Sequence, residues 1–230
     1  MPTRAEVEVL RTAQTELTRL VQAELADFYS TIRNQTPEVV RNTLLEFIPA
    51  LVDEYGSVAA TVSAEWFEAT VGAQVALAGP LPREALERGV RYSAGHLWTA
   101  QPELVTNSLA IKVDKWIKEQ GRETIVLSSA RNDLNWARIP AGGKTCAFCL
   151  MLASRGAVYG TQNDAKKSHG NCRCIVSPIR SEDDWPEGHD PDELYEIYQR
   201  AAHASNGSAE DILAQMRRQN PDLLNDAVIE

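Results

Sequence analysis

An α+β fold is predicted for this chain: a mainly α-helical N-terminal region, as a bundle or extended array, then a small α+β module and a helical acidic tail. Three observations predict it. Apolar residues recur at helical spacing up to about Gly121, short β-prone runs replace them afterwards, and all four cysteines fall within the 29 positions from Cys146 to Cys174. The boundaries follow as 1–120, 121–180 and 181–230. With 230 residues and 43% hydrophobic content there is chain enough for a real core.

The first helix is predicted from Val7, Leu10, Leu17, Val21, Leu25, Phe28 and Ile32, whose steps of three, four and seven place them on one face. Thr36-Pro-Glu opens a second, with Pro37 at the first helical position and Val40, Leu44, Ile48 and Leu51 following. Val58 to Leu77 is predicted as a third, ended by Ala78-Gly-Pro-Leu-Pro. Pro82 opens another carrying Leu86, Val90, Leu97 and Trp98, and Asn107 to Gln120 gives one more with Ile111, Val113 and Trp116. Trp66, Phe67, Trp98 and Trp116 are expected in a shared core and His96 in a structural role. Short helices joined by Pro and Gly breaks bury their faces on one another.

Beyond Gly121, Ile125-Val-Leu, Trp136-Ala-Arg-Ile-Pro, Gly156-Ala-Val-Tyr and Cys174-Ile-Val-Ser-Pro-Ile read as β-prone runs between Gly, Asn, Asp and Pro, giving about three strands by this count. Cys149 to Ser154 is the one helical stretch there. In the tail, Asp190-Pro-Asp-Glu and Ser208-Ala-Glu-Asp each carry a helix start signal, and little suggests order beyond Pro221.

Charge is unevenly shared. Residues 1–180 hold 20 Lys+Arg against 19 Asp+Glu, whereas residues 181–230 hold 3 against 13, so the net charge of −9 belongs to the tail. That argues against a dedicated nucleic-acid surface, which needs clustered cations. The tight basic pairs are Lys166-Lys167 and Arg217-Arg218; Arg173, Lys166 and Lys167 are the candidates for DNA contact, and a solvated extension is the ordinary role of such a tail. No run of 18 apolar residues appears and Met1-Pro-Thr-Arg leads into a charged periodic segment, so no membrane or secretory segment is expected, and the protein is expected to be soluble and made in the cytoplasm.

Cys146-Ala-Phe-Cys149 can bring two thiolates onto one ion through a single turn, and His169-Gly-Asn-Cys172-Arg-Cys174 offers three more donors within six residues. Cys146, Cys149, His169, Cys172 and Cys174 are therefore five candidates for four positions around a structural zinc. Zinc is favoured because a small loop-rich unit lacks apolar mass and gains folding free energy from the ion, on the order of 10 kcal/mol in zinc-binding peptides. Disulfides are the first alternative, and a reactive Cys149–His169 pair the second. The zinc deaminase arrangement is excluded: it needs a Glu two residues after the His, where this chain has Asn171.

The run Arg138-Ile-Pro-Ala-Gly-Gly-Lys-Thr-Cys146-Ala-Phe-Cys149, then Leu152-Ala-Ser-Arg-Gly-Ala-Val-Tyr159, then His169-Gly-Asn-Cys172-Arg-Cys174, resembles the Mu F-like minor head proteins of tailed bacteriophages, in the versions found in phages of actinobacteria. Gly170 departs from the family's commoner Pro after the His. The resemblance implies a virion protein of the capsid interior near the portal, present in multiple copies, with the portal protein and the major capsid or scaffold protein as partners. It further implies a role in head assembly and, in some members, in DNA ejection. Members are often labelled capsid maturation proteases. Ser128, Ser129 and Ser154 are the hydroxyls that such an activity would draw on, with His96 or His169, yet no His–acid set accompanies them in the sequence. No catalytic residue is therefore assigned. Some members carry a fused toxin domain, for which the acidic segment of 50 residues after Arg180 is too short.

Overall fold

Thr3 decides where the first helix begins. Its Oγ1 accepts the Glu6 amide at 3.3 Å while the Glu6 carboxylate accepts the Thr3 amide at 2.7 Å, a reciprocal cap that also holds the Glu6 carboxyl below its ordinary pKa. Helix α1 then runs Arg4–Ile32. The computed structural model describes residues 1–141, 143–157, 174–181 and 184–225.

Helix α2, Pro37–Val71, is one continuous helix where two were expected. Gly56 does not break it: a Cβ there would collide with the Gln120 side chain, so the glycine admits a neighbouring helix. The stop comes at Gly72, in the left-handed region at φ 68°, ahead of the expected end at Leu77. The following stretch is strapped to the neighbouring helix by side chains, since the amides of Ala76 and Ala78 donate to Ser128 Oγ at 2.9 Å and Thr124 Oγ1 at 3.0 Å.

After α3, Arg83–Ala94, and a 3-10 turn over Gly95–Trp98, helix α4 spans Leu104–Arg131. It passes the expected end at Gln120, so Ile125-Val-Leu is helical and not β-prone structure. Its C-terminal half is held by tertiary packing: Ile125 and Val126 are buried, and burial of that face outweighs the weak helix preference of β-branched residues. At Gly121 the helix lies so close to α2 that an added Cβ would stand 2.8 Å from Ser63 Oγ and 3.2 Å from the Ala59 carbonyl.

Strand β1, Asn135–Ile139, pairs antiparallel with β3, Ile175–Ile179, in a register that sets Arg138 opposite Val176. Between them lie β2, Thr145–Cys146, and helix α5, Ala147–Ala153. Two capped helices follow, α6 over Pro191–His203 and α7 over Ala209–Gln219. Asp190 and Ser208 serve as the caps, as the sequence predicts. The tail beyond Pro221 is more ordered than expected: β4, Leu224–Asn225, pairs parallel with β2, and the Lys144 ammonium donates to the Pro221 carbonyl at 2.8 Å. The expected run at Gly156 is not a strand at Gly156 and Ala157; Val158 and Tyr159 lie outside the described residues.

The fold is therefore α+β, mainly helical, with two small two-stranded sheets among the described residues. One apolar cluster fills the bundle with Leu25, Leu44, Ile48, Val90, Leu109 and Ile117. A second joins the helices to the sheet through Leu10, Phe67, Ile125, Trp136, Ile139 and Val176. A third unites α5, α6, α7 and β4 around Leu150, Ala201 and Met216. Trp66 and Phe67 are core residues as expected and Trp116 is half-buried against the bundle. Trp98 is not core: it is 50% exposed, with the Arg41 guanidinium 5.5 Å from its ring centre. No helix among the described residues is long and apolar enough to cross a membrane.

The glycines give a direct test of the α2–α4 contact. Gly121→Ala is expected to destabilise the protein by about 1–3 kcal/mol through overpacking. Gly95→Ala, at a helical φ of −54° with open space around the added carbon, is expected to be neutral or stabilising by up to about 1 kcal/mol. Urea unfolding of the two variants measures both.

Candidate functional site

The cysteines are placed by the join between β2, α5 and β3. Cys146 ends β2 and caps α5, its sulfur accepting the Cys149 amide at 3.3 Å. Cys149 lies in the first turn of α5, and Cys174 directly precedes β3. The Sγ atoms of Cys149 and Cys174 are 3.2 Å apart across 25 residues of sequence. All three cysteines are buried in one small cluster with Phe148 beside them. His169 and Cys172, the other two predicted ligands, lie outside the described residues, as do Arg173, Lys166 and Lys167. Among the described residues no group of three or more His, Cys, Asp or Glu side chains is placed to hold a metal ion.

Sequence reasoning missed two arginines here. Arg138, on β1, is fully buried, and its Nη1 donates to Cys174 Sγ at 3.0 Å. Arg122, 3% exposed on α4, donates from Nη2 to the Cys174 carbonyl at 3.3 Å. The signal available was an Arg inside the apolar β-prone run Trp136-Ala-Arg-Ile, where an inward cation needs a reason. Thiolates are zinc's preferred ligands, yet the three described cysteines do not by themselves form a metal-ligating group.

The candidate serines are occupied with backbone. Ser128 Oγ accepts the Ala76 amide, while Ser129 Oγ donates to the Ile125 carbonyl and Ser154 Oγ to the Met151 carbonyl, both at 2.8 Å. His96 lies half-buried in the 3-10 turn at the far end of α3. Ser154 nevertheless lines a cleft of about 710 Å³ together with Asn135, Arg155, Arg180, Trp185 and His189.

His189 was not singled out from the sequence, because nothing in a polar linker marks a buried histidine. It is 7% exposed, its ring stands 5.0 Å from Trp185, and its Nε2 has no hydrogen-bond partner among the described residues. Burial, assisted by the Arg4 guanidinium and opposed by Asp190, pushes its pKa down to about 4, so the imidazole is neutral near pH 7.

Comparison with known proteins then gives the chain its relatives. A family described as VG15 protein matches residues 1–201. The Gene 15 protein of Mycobacterium phage L5 is 25% identical over 37% of this chain and 44% of its own length. The Gene 15 protein of Mycobacterium phage D29 matches with the same identity and the same shares. The chain thus spans less than half the length of these curated relatives. No solved structure matches it.

The buried histidine predicts an acid-sensitive fold. As pH falls from 6.5 towards 4 the unfolded chain takes up the proton first, so the stability that His189 confers is complete above 6.5 and lost through that window. The loss amounts to at most about 3 kcal/mol. Urea midpoints measured between pH 7 and pH 4 are expected to fall more steeply for the wild type than for His189→Phe, which cannot titrate.

Proposed function

Because the chain belongs to the VG15 family, with relatives in mycobacteriophages, we propose that it is a minor capsid protein of a tailed bacteriophage, of the Mu F-like kind. On this reading it acts inside the head near the portal during capsid assembly, in multiple copies, and takes part in DNA ejection. Its partners are the portal protein and the major capsid or scaffold protein. The observation that carries the reading is the family match over residues 1–201, which covers the helical body and the cysteine-bearing part together. The motif-level resemblance from Arg138 to Cys174, to versions from phages of actinobacteria, agrees with relatives from Mycobacterium phages.

The division of labour follows from the three segments proposed as 1–120, 121–180 and 181–230. The helical region docks on the portal or inner shell. The cysteine-bearing module holds a fixed shape, and the acidic tail packs on it through α6 and α7 while its charged faces stay solvated. Co-sedimentation with purified portal protein, and detection of the chain in purified virions by mass spectrometry, test the reading. Absence from virions, with no portal binding under any assembly condition, would remove its basis.

Within that role, Cys146, Cys149 and Cys174 serve as ligands of one structural zinc, with His169 and Cys172 as the remaining candidates. The ion supplies folding free energy by tying α5 to the start of β3. Close to one zinc per chain is expected in freshly purified protein by elemental analysis. Chelation is expected to lower the thermal midpoint, and Cys149→Ser to abolish zinc uptake. Metal-free protein lacking reactive thiols after denaturation would instead identify disulfides.

A second reading, a maturation protease cleaving scaffold or head protein, draws on the cleft that Ser154 and His189 share. Ser154→Ala would then stop head-protein cleavage while particles still assemble. Unchanged cleavage in that variant would leave the assembly role alone.

A further inference from the structure

We infer that Asn206 is a self-modification site: in the folded protein its side-chain amide is displaced by the Gly207 backbone nitrogen and then hydrolysed, leaving aspartate or isoaspartate in the turn between α6 and α7. The sequence marks the position. Among all the asparagines of the chain, Asn206 alone is followed by glycine. Attack of a backbone nitrogen on the preceding side chain is ordinarily hindered by the next residue's own side chain, and glycine has none.

The turn holds the reacting groups together. Helix α6 ends at His203, Ser208 caps α7, and Asn206 and Gly207 are both exposed between them. Gly207 takes φ 88°, in the left-handed region that glycine adopts without strain. Asn206 Oδ1 accepts the Ser208 amide at 2.9 Å, which folds the side chain back along Gly207 as an Asx turn. The Gly207 amide donates to Ser205 Oγ at 3.1 Å and the Asn206 amide to Asp211 Oδ2 at 2.8 Å, so the main chain on both sides of the reacting carbon is held.

The step needs water and no oxidant or cofactor. The Gly207 nitrogen gives its proton to solvent base and bonds to Asn206 Cγ, while the carbonyl electron pair moves onto Oδ1. Negative charge therefore develops on an oxygen that already faces the Ser208 N–H, at the end of α7 where the helix dipole favours an anion. The carbonyl re-forms as the side-chain nitrogen takes up a proton and leaves as ammonia. Water then opens the cyclic imide at one carbonyl to give aspartate, or at the other to give isoaspartate.

Both products alter the tail. Aspartate sets a second negative charge beside the Asp211 carboxylate. Isoaspartate routes the main chain through Cβ and lengthens the connection just ahead of the Ser208 cap. Helix α7 is seated from that cap onward, with Ile212 and Met216 in the same apolar cluster as Leu150 and Ala201. Conversion runs one way, so the seat of α7 loosens as the protein ages.

The test uses the full chain, aged in mildly alkaline buffer both folded and unfolded in guanidinium chloride, with peptide mass spectrometry and an isoaspartate assay reading position 206. The folded protein is expected to convert at Asn206 at least as fast as the unfolded chain, which lacks the Ser208 donor. Asn206→Gln is expected to lose the conversion. Amide hydrogen exchange in α7 is expected to be faster in aged than in fresh wild type, and unchanged by ageing in Asn206→Gln. Slower conversion in the folded protein than in the unfolded chain, or none at all, overturns the inference. Conversion with unchanged exchange in α7 overturns its consequence for the tail.

Discussion

Helix α4 constrains the whole molecule, because its two halves are buried in two different cores. Leu109, Val113 and Ile117 pack in the bundle, while Ile125 and Val126 lie beneath the sheet of β1 and β3. One rigid rod of 28 residues therefore sets the position of the cysteine-bearing strands relative to the bundle. The rod can do so only where α2 lets it approach: a methyl group at Gly56 would displace the Gln120 amide, and one at Gly121 would press on Ser63 and the Ala59 carbonyl.

A helix buried on so many sides must place its polar groups with care. Asp114 Oδ1 accepts from Lys118 Nζ at 2.6 Å and from Thr18 Oγ1 at 2.8 Å, so a carboxylate and an ammonium enter the bundle as a bonded set. Thr124 and Ser128 take the amides of the strap after α2, and Arg122 reaches the Cys174 carbonyl. The hydroxyls of Thr124 and Ser128 are thus spent on backbone that has no ladder of its own, while Ser129 bonds the Ile125 carbonyl of its own helix.

The site gains its shape from long-range contacts. Cys146 and Cys149 are brought together by their own turn, which any C-x-x-C spacing allows. Cys174 joins them because β3 pairs with β1, and β1 is anchored on α4 and on the start of α1, where the Arg4 guanidinium donates to the Pro140 carbonyl at 2.9 Å. The acidic tail is likewise not a loose appendage along its described length, since α6 and α7 pack on α5 and β4 pairs with β2.

Local chemistry was legible in the sequence: the caps at Thr36, Asp190 and Ser208, the apolar stripe of α1, and the β-prone runs that became β1 and β3. Each depends on residues within one or two turns of chain, so spacing alone determines it. The approach of Cys146 to Cys149 was legible in the same way, whereas Cys174 joins them only through the pairing of β3 with β1. Three things were decided only in the folded chain: the fusion of two predicted helices into α2, the extension of α4 past Gly121, and the pairing of β4. There the deciding energy is burial against a distant segment, which overrides propensity and turns an apparent helix-breaking glycine into a packing contact. Arg122, Arg138 and His189 belong to this group too, because a charged or titratable side chain reveals its burial only when the elements around it have closed.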